Sequence, residues 1–163
     1  KSSEEVDYDF QILKSVERVN ELQKTHLIPK IEAHFNHDLK GKHFALWGLA
    51  FKPNTDDIRE APALYIIDSL LKSGATVSAY DPEAMNNVKG QLGDIIQYST
   101  NPYEALKGAD ALIIATEWSE FRTPDFDQIG SRLKNKVIFD GRNLFSIPEI
   151  KDLGFEYYSV GRY

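Results

Sequence analysis

The sequence predicts a three-layer α/β domain with a mostly parallel sheet, preceded by an N-terminal amphipathic helix. Three observations predict it. Short runs of residues that are apolar on both faces recur along the chain, as strands covered on two sides must be. Helical segments separate these runs, with Pro at a first turn and Gly just past an end. Finally, 163 residues with 42% hydrophobic and 27% charged content fit one ordinary globular domain plus an appendage.

The first forty residues read differently from the rest. Phe10, Leu13, Val16, Val19, Leu22, Leu27, Ile28, Ile31 and Phe35 are spaced mostly by three or four, which gives a helix with one apolar stripe. Asp7 and Asp9 precede it, as a cap or as negative charge near the positive helix end. Pro29 lacks a backbone donor and disfavours helix at Ile28, so a kink is expected, or a break with a short second helix starting near Pro29. Asp38 to Lys42 then closes the segment as a turn. The boundary is placed there, between residues 1–40 and 41–163.

Alternation follows. His43 to Phe51 is a buried-strand run, Lys52 to Glu60 a polar loop, and Pro62 to Ser73 a helix stopped by Gly74. Ala75 to Tyr80 is a strand ended by Asp81-Pro82, Glu83 to Lys89 a short helix, and Ile95 to Tyr98 a short strand. Asn101-Pro102 opens a helix ending near Lys107-Gly108, and Ala111 to Thr116 is a buried strand. Phe126 to Leu133 is helical, Lys136 to Asp140 a strand, Pro148 to Leu153 a helical turn, and Glu156 to Val160 a last strand. No internal repeat or low-complexity tract interrupts the pattern.

Composition excludes several functions. With no cysteine there is no disulfide, no thiolate metal site and no covalent chemistry on sulfur within this chain. A formal charge of −6 is the wrong sign for a protein that tracks nucleic acid, although a local group of cations can still hold a small anion. No apolar stretch is long enough to span a membrane. The polar, acidic start, Lys1-Ser2-Ser3-Glu4-Glu5, lacks the basic-then-apolar pattern of a signal peptide. Absence of targeting signals and cysteines fits the cytoplasm. The first residue is Lys and the only Met is Met85, so the chain is expected to be a piece of something longer.

Open parallel sheets bind ligands at the carboxyl ends of their strands, near the point where strand order reverses. The loops that matter are therefore Gly48 to Glu60, Tyr80-Asp81-Pro82, Thr116-Glu117-Trp118 and Asp140-Gly141-Arg142-Asn143. They collect Lys52, Arg59 and Arg142 on one edge. In a Rossmann-like fold, the rival reading is dinucleotide binding with Asp81 on a ribose. That reading fails on the glycines, because only Gly48 is present and Leu49, Ala50, Phe51 and Lys52 follow it where a pyrophosphate would lie.

Gly48-Leu-Ala-Phe-Lys-Pro-Asn-Thr-Asp-Asp-Ile-Arg-Glu-Ala-Pro62 resembles the signature of the C-terminal domain of UDP-glucose/GDP-mannose dehydrogenases. The resemblance continues through Tyr80-Asp-Pro82, Thr116-Glu-Trp118 and Asp140-Gly-Arg142, and covers nearly the whole chain. Val19 to Lys24 is similar to the end of that family's long central helix, which builds dimers. Lys52-Pro53-Asn54 with Thr55-Asp56-Asp57 resembles the bacterial UDP-glucose branch more than the GDP-mannose branch.

The resemblance implies an enzyme that oxidises a primary alcohol of a nucleotide sugar to a carboxylate with two NAD⁺, through a covalent cysteine. That cysteine and the glycine-rich NAD-binding domain would lie upstream, leaving this chain as the UDP-sugar domain with no catalytic residue of its own. Residues 1–40 are then the end of the central helix, and 41–163 the UDP-sugar-binding domain. The resemblance implies that Phe51, Lys52 and Arg142 contact the sugar nucleotide and that Arg59 reaches toward NAD.

Bland readings stand beside these. Phe51 can be half core and half pocket wall. Lys52 can be a solvated lysine. Arg142 can pair with Asp140 across Gly141. Arg59 can brace its loop against Asp56 or Asp57. His26, His34, His37 and His43 lie around the first helix without a third ligand in view, so no metal is expected. Ala61 stands where the family often has Ser, which removes a capping oxygen. Three functions remain in play: the enzyme domain, including that of a related UDP-N-acetylhexosamine or GDP-mannose dehydrogenase; a non-catalytic nucleotide-binding domain; and a self-association module built on the first helix.

Overall fold

The computed structural model describes residues 26–161. In chain order these form α1 (Leu27–His34), β1 (His43–Trp47), α2 (Pro62–Lys72), β2 (Thr76–Tyr80), α3 (Met85–Leu92) and β3 (Gln97–Tyr98). Then come α4 (Pro102–Ala105), β4 (Ala111–Ile114), a 3-10 turn (Ser119–Phe121), α5 (Phe126–Arg132), β5 (Val137–Asp140), α6 (Ile147–Asp152) and β6 (Glu156–Ser159). The apolar positions Phe10 to Leu22 lie outside the described residues.

All six strands are parallel and lie in the order β3-β2-β1-β4-β5-β6. Order reverses between β1 and β4, whose ends are aligned by the pair Trp47↔Ile114. The ligand-binding edge expected of such a sheet is thus the edge carrying the loops after β1 and β4.

The three layers follow from alternation. Phe44 and Trp47 are three residues apart in one strand, so their side chains leave on opposite faces. Phe44 meets Phe35, just past α1, ring edge to ring face at 5.5 Å. Trp47 stacks on Phe121 at 5.0 Å, meets Tyr103 of α4, and donates its indole N–H to the Pro102 carbonyl at 2.8 Å. Burying aromatic rings of this size on both faces is worth roughly 1.5–3 kcal/mol for each side chain.

The C-terminal end of the helical stripe seats on the sheet. Leu27 and Ile31, one turn apart, are buried, the Lys30 ammonium donates to the Ser159 carbonyl, and the His34 ring meets the Tyr158 hydroxyl at 2.8 Å. Pro29 falls in the first turn of α1, where its absent N–H would have had no helical partner.

Segments expected as strands or helices between residues 43 and 160 are present, with shifted ends. The shift at β1 has a clear cause. Gly48 turns the chain at φ +95°, and the next two amides leave the ladder for the Asp81 carboxylate, so the strand stops at Trp47 rather than Phe51. The same carboxylate holds the Glu83 and Ala84 amides, which delays α3 to Met85.

Candidate functional site

Asp81 organises the carboxyl edge. It is fully buried, and five donors fill its oxygens: Leu49 N–H (2.7 Å), Ala50 N–H (3.0 Å) and the Trp118 indole (3.1 Å) on Oδ2, with Glu83 N–H (2.9 Å) and Ala84 N–H (2.8 Å) on Oδ1. A buried carboxylate is tolerable only when satisfied in this way. Asp81 therefore stitches the loops after β1, β2 and β4 together, and has no oxygen facing a ribose.

The same crevice is closed to a pyrophosphate. A Cβ on Gly48 would stand 2.5 Å from the Thr116 Cβ, and the Thr116 hydroxyl donates to the Ala50 carbonyl at 2.7 Å. Leu49 and Ala50 are wholly buried. The residues present do not fit a dinucleotide at this switch point, so no step is assigned to one bound there.

Phe51 and Lys52 emerge just beyond this stitched region. Phe51 is 42% exposed, and Lys52 is exposed beside it. The loop is held in turn by Phe51 N–H donating to the Asp57 carbonyl (2.8 Å) and by the Asn87 side chain donating to the Asp56 carbonyl (2.9 Å). Asn54 and Glu60 adopt positive φ of 63° and 59° at its turns.

Arg59 stands out from this loop, 88% exposed at its side chain, in a two-point pair with Asp57: Nε to Oδ1 at 3.0 Å and Nη2 to Oδ2 at 2.9 Å. The Arg59 side-chain hydrogen bonds, together with its backbone amide, hold the Asp57 carboxyl at a pKa of about 2. Of the two expected partners, Asp57 is the one Arg59 takes. Beside it a groove of about 340 Å³ is lined by Ile58, Arg59, Leu64, Tyr65 and Gln91, among others.

Arg142 follows β5, two strands across from β1. Its guanidinium does not pair with Asp140, the partner weighed from the sequence. Asp140 is fully buried and occupied by the Arg142 amide (2.8 Å), the Leu144 amide (2.7 Å) and the Tyr157 hydroxyl (2.6 Å). Nη2 of Arg142 instead donates to Oε1 of Glu117 at 2.6 Å, with each side chain 30% exposed. Glu117 had no role in the sequence reading. Its one signal was position, two residues past a buried strand on the edge that carries the cations. Asn143 at φ 55° is held by exchanging two hydrogen bonds with the Val160 backbone.

Two of the histidines are engaged elsewhere. His34 lies at the α1–β6 contact, and His43 bridges the Thr76 (2.6 Å) and Ser78 (3.0 Å) hydroxyls at the amino end of β1. Among the described residues, no group of three or more His, Asp or Glu is arranged to hold a metal ion. A second cavity, of about 240 Å³ and bordered by Lys136, Leu153 and Phe155, opens at the amino ends of β5 and β6, away from these loops.

The loops that gather at the reversal point also match a known sequence pattern. Residues 45–147 match the UDP binding domain of the UDP-glucose/GDP-mannose dehydrogenase family. This chain belongs to that family.

Within the family, a UDP-glucose 6-dehydrogenase of Pseudomonas aeruginosa is 41% identical over 167 residues, covering 99% of this chain and 37% of that protein. One from Bacillus subtilis is 41% identical over 155 residues, covering 95% of this chain and 33% of that protein. The chain thus spans about a third of the length of these curated relatives. Among solved structures, the UDP-glucose dehydrogenase of Pyrobaculum islandicum superposes with a TM-score of 0.77 at 35% identity, over 92% of this chain and 32% of that one. The UDP-D-ManNAc dehydrogenase of Pyrococcus horikoshii gives 0.67 at 28%, over 90% and 31%. Among the described residues, no helix is long and apolar enough to cross a membrane.

Proposed function

We propose that this chain is the C-terminal, UDP-sugar-binding domain of an NAD-dependent UDP-glucose 6-dehydrogenase, a cytoplasmic enzyme that oxidises the sugar's primary alcohol to a carboxylate with two NAD⁺. The observation that carries this is the family's signature loops, with Phe51-Lys52 after β1 and Arg142 after β5, standing on the carboxyl edge at the reversal point. UDP-glucose as substrate is supported by the greater likeness to the Pyrobaculum enzyme than to the Pyrococcus one.

In this reading Lys52 and Arg142 meet the charged part of the sugar nucleotide as differently shaped donors. Lysine presents a compact ammonium, and arginine a planar fork. Their local positive field is independent of the chain's formal charge of −6. Phe51 gives the pocket an apolar wall. Arg59, held outward by Asp57, reaches toward NAD bound mainly by the rest of the parent enzyme. NAD⁺ supplies a hydride acceptor when bound; the residues of this chain bind and orient. No catalytic residue is placed here, since a chain without cysteine has no thiol to form the covalent intermediate. Residues 1–40 are read as the end of the central helix through which two copies pair, and 41–163 as the UDP-sugar domain.

The test is substrate affinity in the full-length parent. A charge-assisted hydrogen bond is worth on the order of 1.5–3 kcal/mol, so Lys52→Ala and Arg142→Ala should each weaken UDP-glucose binding by roughly ten- to a hundredfold. Arg142→Lys should be nearly as damaging as Arg142→Ala. Unchanged affinity and turnover in both alanine variants, with lowered thermal stability, would make these residues structural and overturn the assignment.

A further inference from the structure

We propose that Glu117 is a positioning residue for the UDP-sugar site, holding the Arg142 guanidinium in the orientation it presents to the ligand. This rests on the reading of Arg142 above. Among the described residues Glu117 is the guanidinium's only side-chain partner, through a 2.6 Å bond between half-buried groups. Both ends of the bond are anchored independently. Glu117 sits between Thr116, whose hydroxyl donates to the Ala50 carbonyl, and Trp118, whose indole donates to buried Asp81. Arg142 has its amide on Asp140, and the Gly141 amide before it donates to the Ile114 carbonyl at 2.9 Å. With both backbones fixed, the pair settles where the long arginine side chain points. The bond uses Nη2 alone, which leaves the Nε and Nη1 donors of the fork for a ligand.

Electrostatics makes the role testable. A carboxylate beside a diphosphate repels it, so removal of the charge alone strengthens binding. A loss of affinity on removing Glu117 therefore reports geometry. An arginine released from its partner regains rotamer freedom that binding must then remove, which raises KM for UDP-glucose about tenfold.

The experiment is steady-state kinetics of the full-length parent with UDP-glucose, with the thermal midpoint of each variant recorded. Glu117→Ala should raise KM about tenfold with kcat little changed. Glu117→Gln keeps an acceptor for the guanidinium without the charge, and should bind at least as well as the parent. In an Arg142→Ala background, Glu117→Ala should cause no further loss and should, if anything, bind better, because the positioning acts through Arg142 and only the repulsive charge is then removed.

An unchanged or lowered KM in Glu117→Ala would overturn the proposal and mark Glu117 as an anion the ligand must displace. A Gln variant as impaired as Ala, or an added loss in the Arg142→Ala background, would overturn it too. If Glu117→Ala fails to fold, Glu117→Ser, whose short side chain offers no acceptor within reach of the guanidinium, takes its place with the same expected rise in KM, and an unchanged KM there would overturn the proposal. Arg142→Ala with unchanged KM would instead remove the underlying site reading, a result distinct from all of these.

Discussion

At the scale of single residues, the fully buried carboxylates of Asp81 and Asp140 and the half-buried His43 are each held by several partners. Asp81 and Asp140 each end or follow a strand, and each fills its oxygens with loop amides and an aromatic donor. They shape the loops that carry Phe51, Lys52 and Arg142 without presenting charge to a ligand. His43 works at the other end of the sheet. The Ser78 hydroxyl donates to the Gln97 side chain, so it accepts from Nε2–H of His43; the single Thr76 hydroxyl hydrogen goes to Nδ1 of the neutral ring at 2.6 Å, its alternative acceptor being the Lys42 carbonyl at 3.5 Å. Burial lowers the His43 pKa from its ordinary 6.5, with Asp110 opposing and Lys134 reinforcing the shift. Below pH 6.5 the unfolded chain takes up a proton that the folded one refuses, so stability is full above that pH and falls as acid is added. Thermal midpoints between pH 7.5 and 5.5 should drop more steeply for the parent sequence than for His43→Gln. Equal slopes would show that His43 plays no part.

Single helices depend on how their first amides are satisfied. In α4, only four residues long, Asn101 Oδ1 accepts the Glu104 amide at 2.9 Å, and in α5 Asp125 does the same for Gln128 at 3.1 Å. The longer α2 starts at Ala61 with no side-chain cap and relies on Pro62 and on burial of Ala63, Ile66, Ile67 and Leu70. A short helix has less burial to draw on, and α4 also supplies the Pro102 carbonyl and the Tyr103 ring that hold Trp47. Asn101→Ala should therefore cost about 1 kcal/mol in urea unfolding, whereas Asn101→Asp should cost little. A loss below the error of the extrapolation for Asn101→Ala would mean that packing on Trp47 holds the helix without its cap.

For the molecule as a whole, the all-parallel sheet covers its faces with helices and leaves its carboxyl edge for loops. That edge carries Lys52 after β1 and Arg142 after β5, flanking a crevice sealed by Gly48, Thr116 and Asp81. In the proposed reading this edge holds a UDP-sugar against another domain; among the described residues the crevice at Gly48 has no glycine-rich dinucleotide cradle, and the sequence has no thiol. The purified chain, given UDP-glucose and excess NAD⁺, should produce no NADH above blank. Measurable turnover would overturn the division of roles between this domain and the rest of the parent.

Much of this was determined by the sequence alone, because it rests on local chemistry. Apolar runs mark the strands, Pro62 and Gly74 bracket a helix, and the loops that carry Phe51, Lys52, Arg59 and Arg142 are legible as the ones following strands, on the carboxyl edge. Missing glycines after Gly48 already argued against a dinucleotide. Tertiary structure decided what depends on partners far apart in the chain. Residues 32 and 31 positions apart in sequence choose the end of β1, since the Asp81 carboxylate takes the Leu49 and Ala50 amides that a strand reaching Phe51 would need. Arg142 passes over nearby Asp140 for Glu117, 25 residues away, because the Asp140 oxygens are already filled from its own loop and from β6. Spacing within a segment is set by backbone geometry and can be read along a chain; competition for a buried carboxylate is settled only when the strands are side by side.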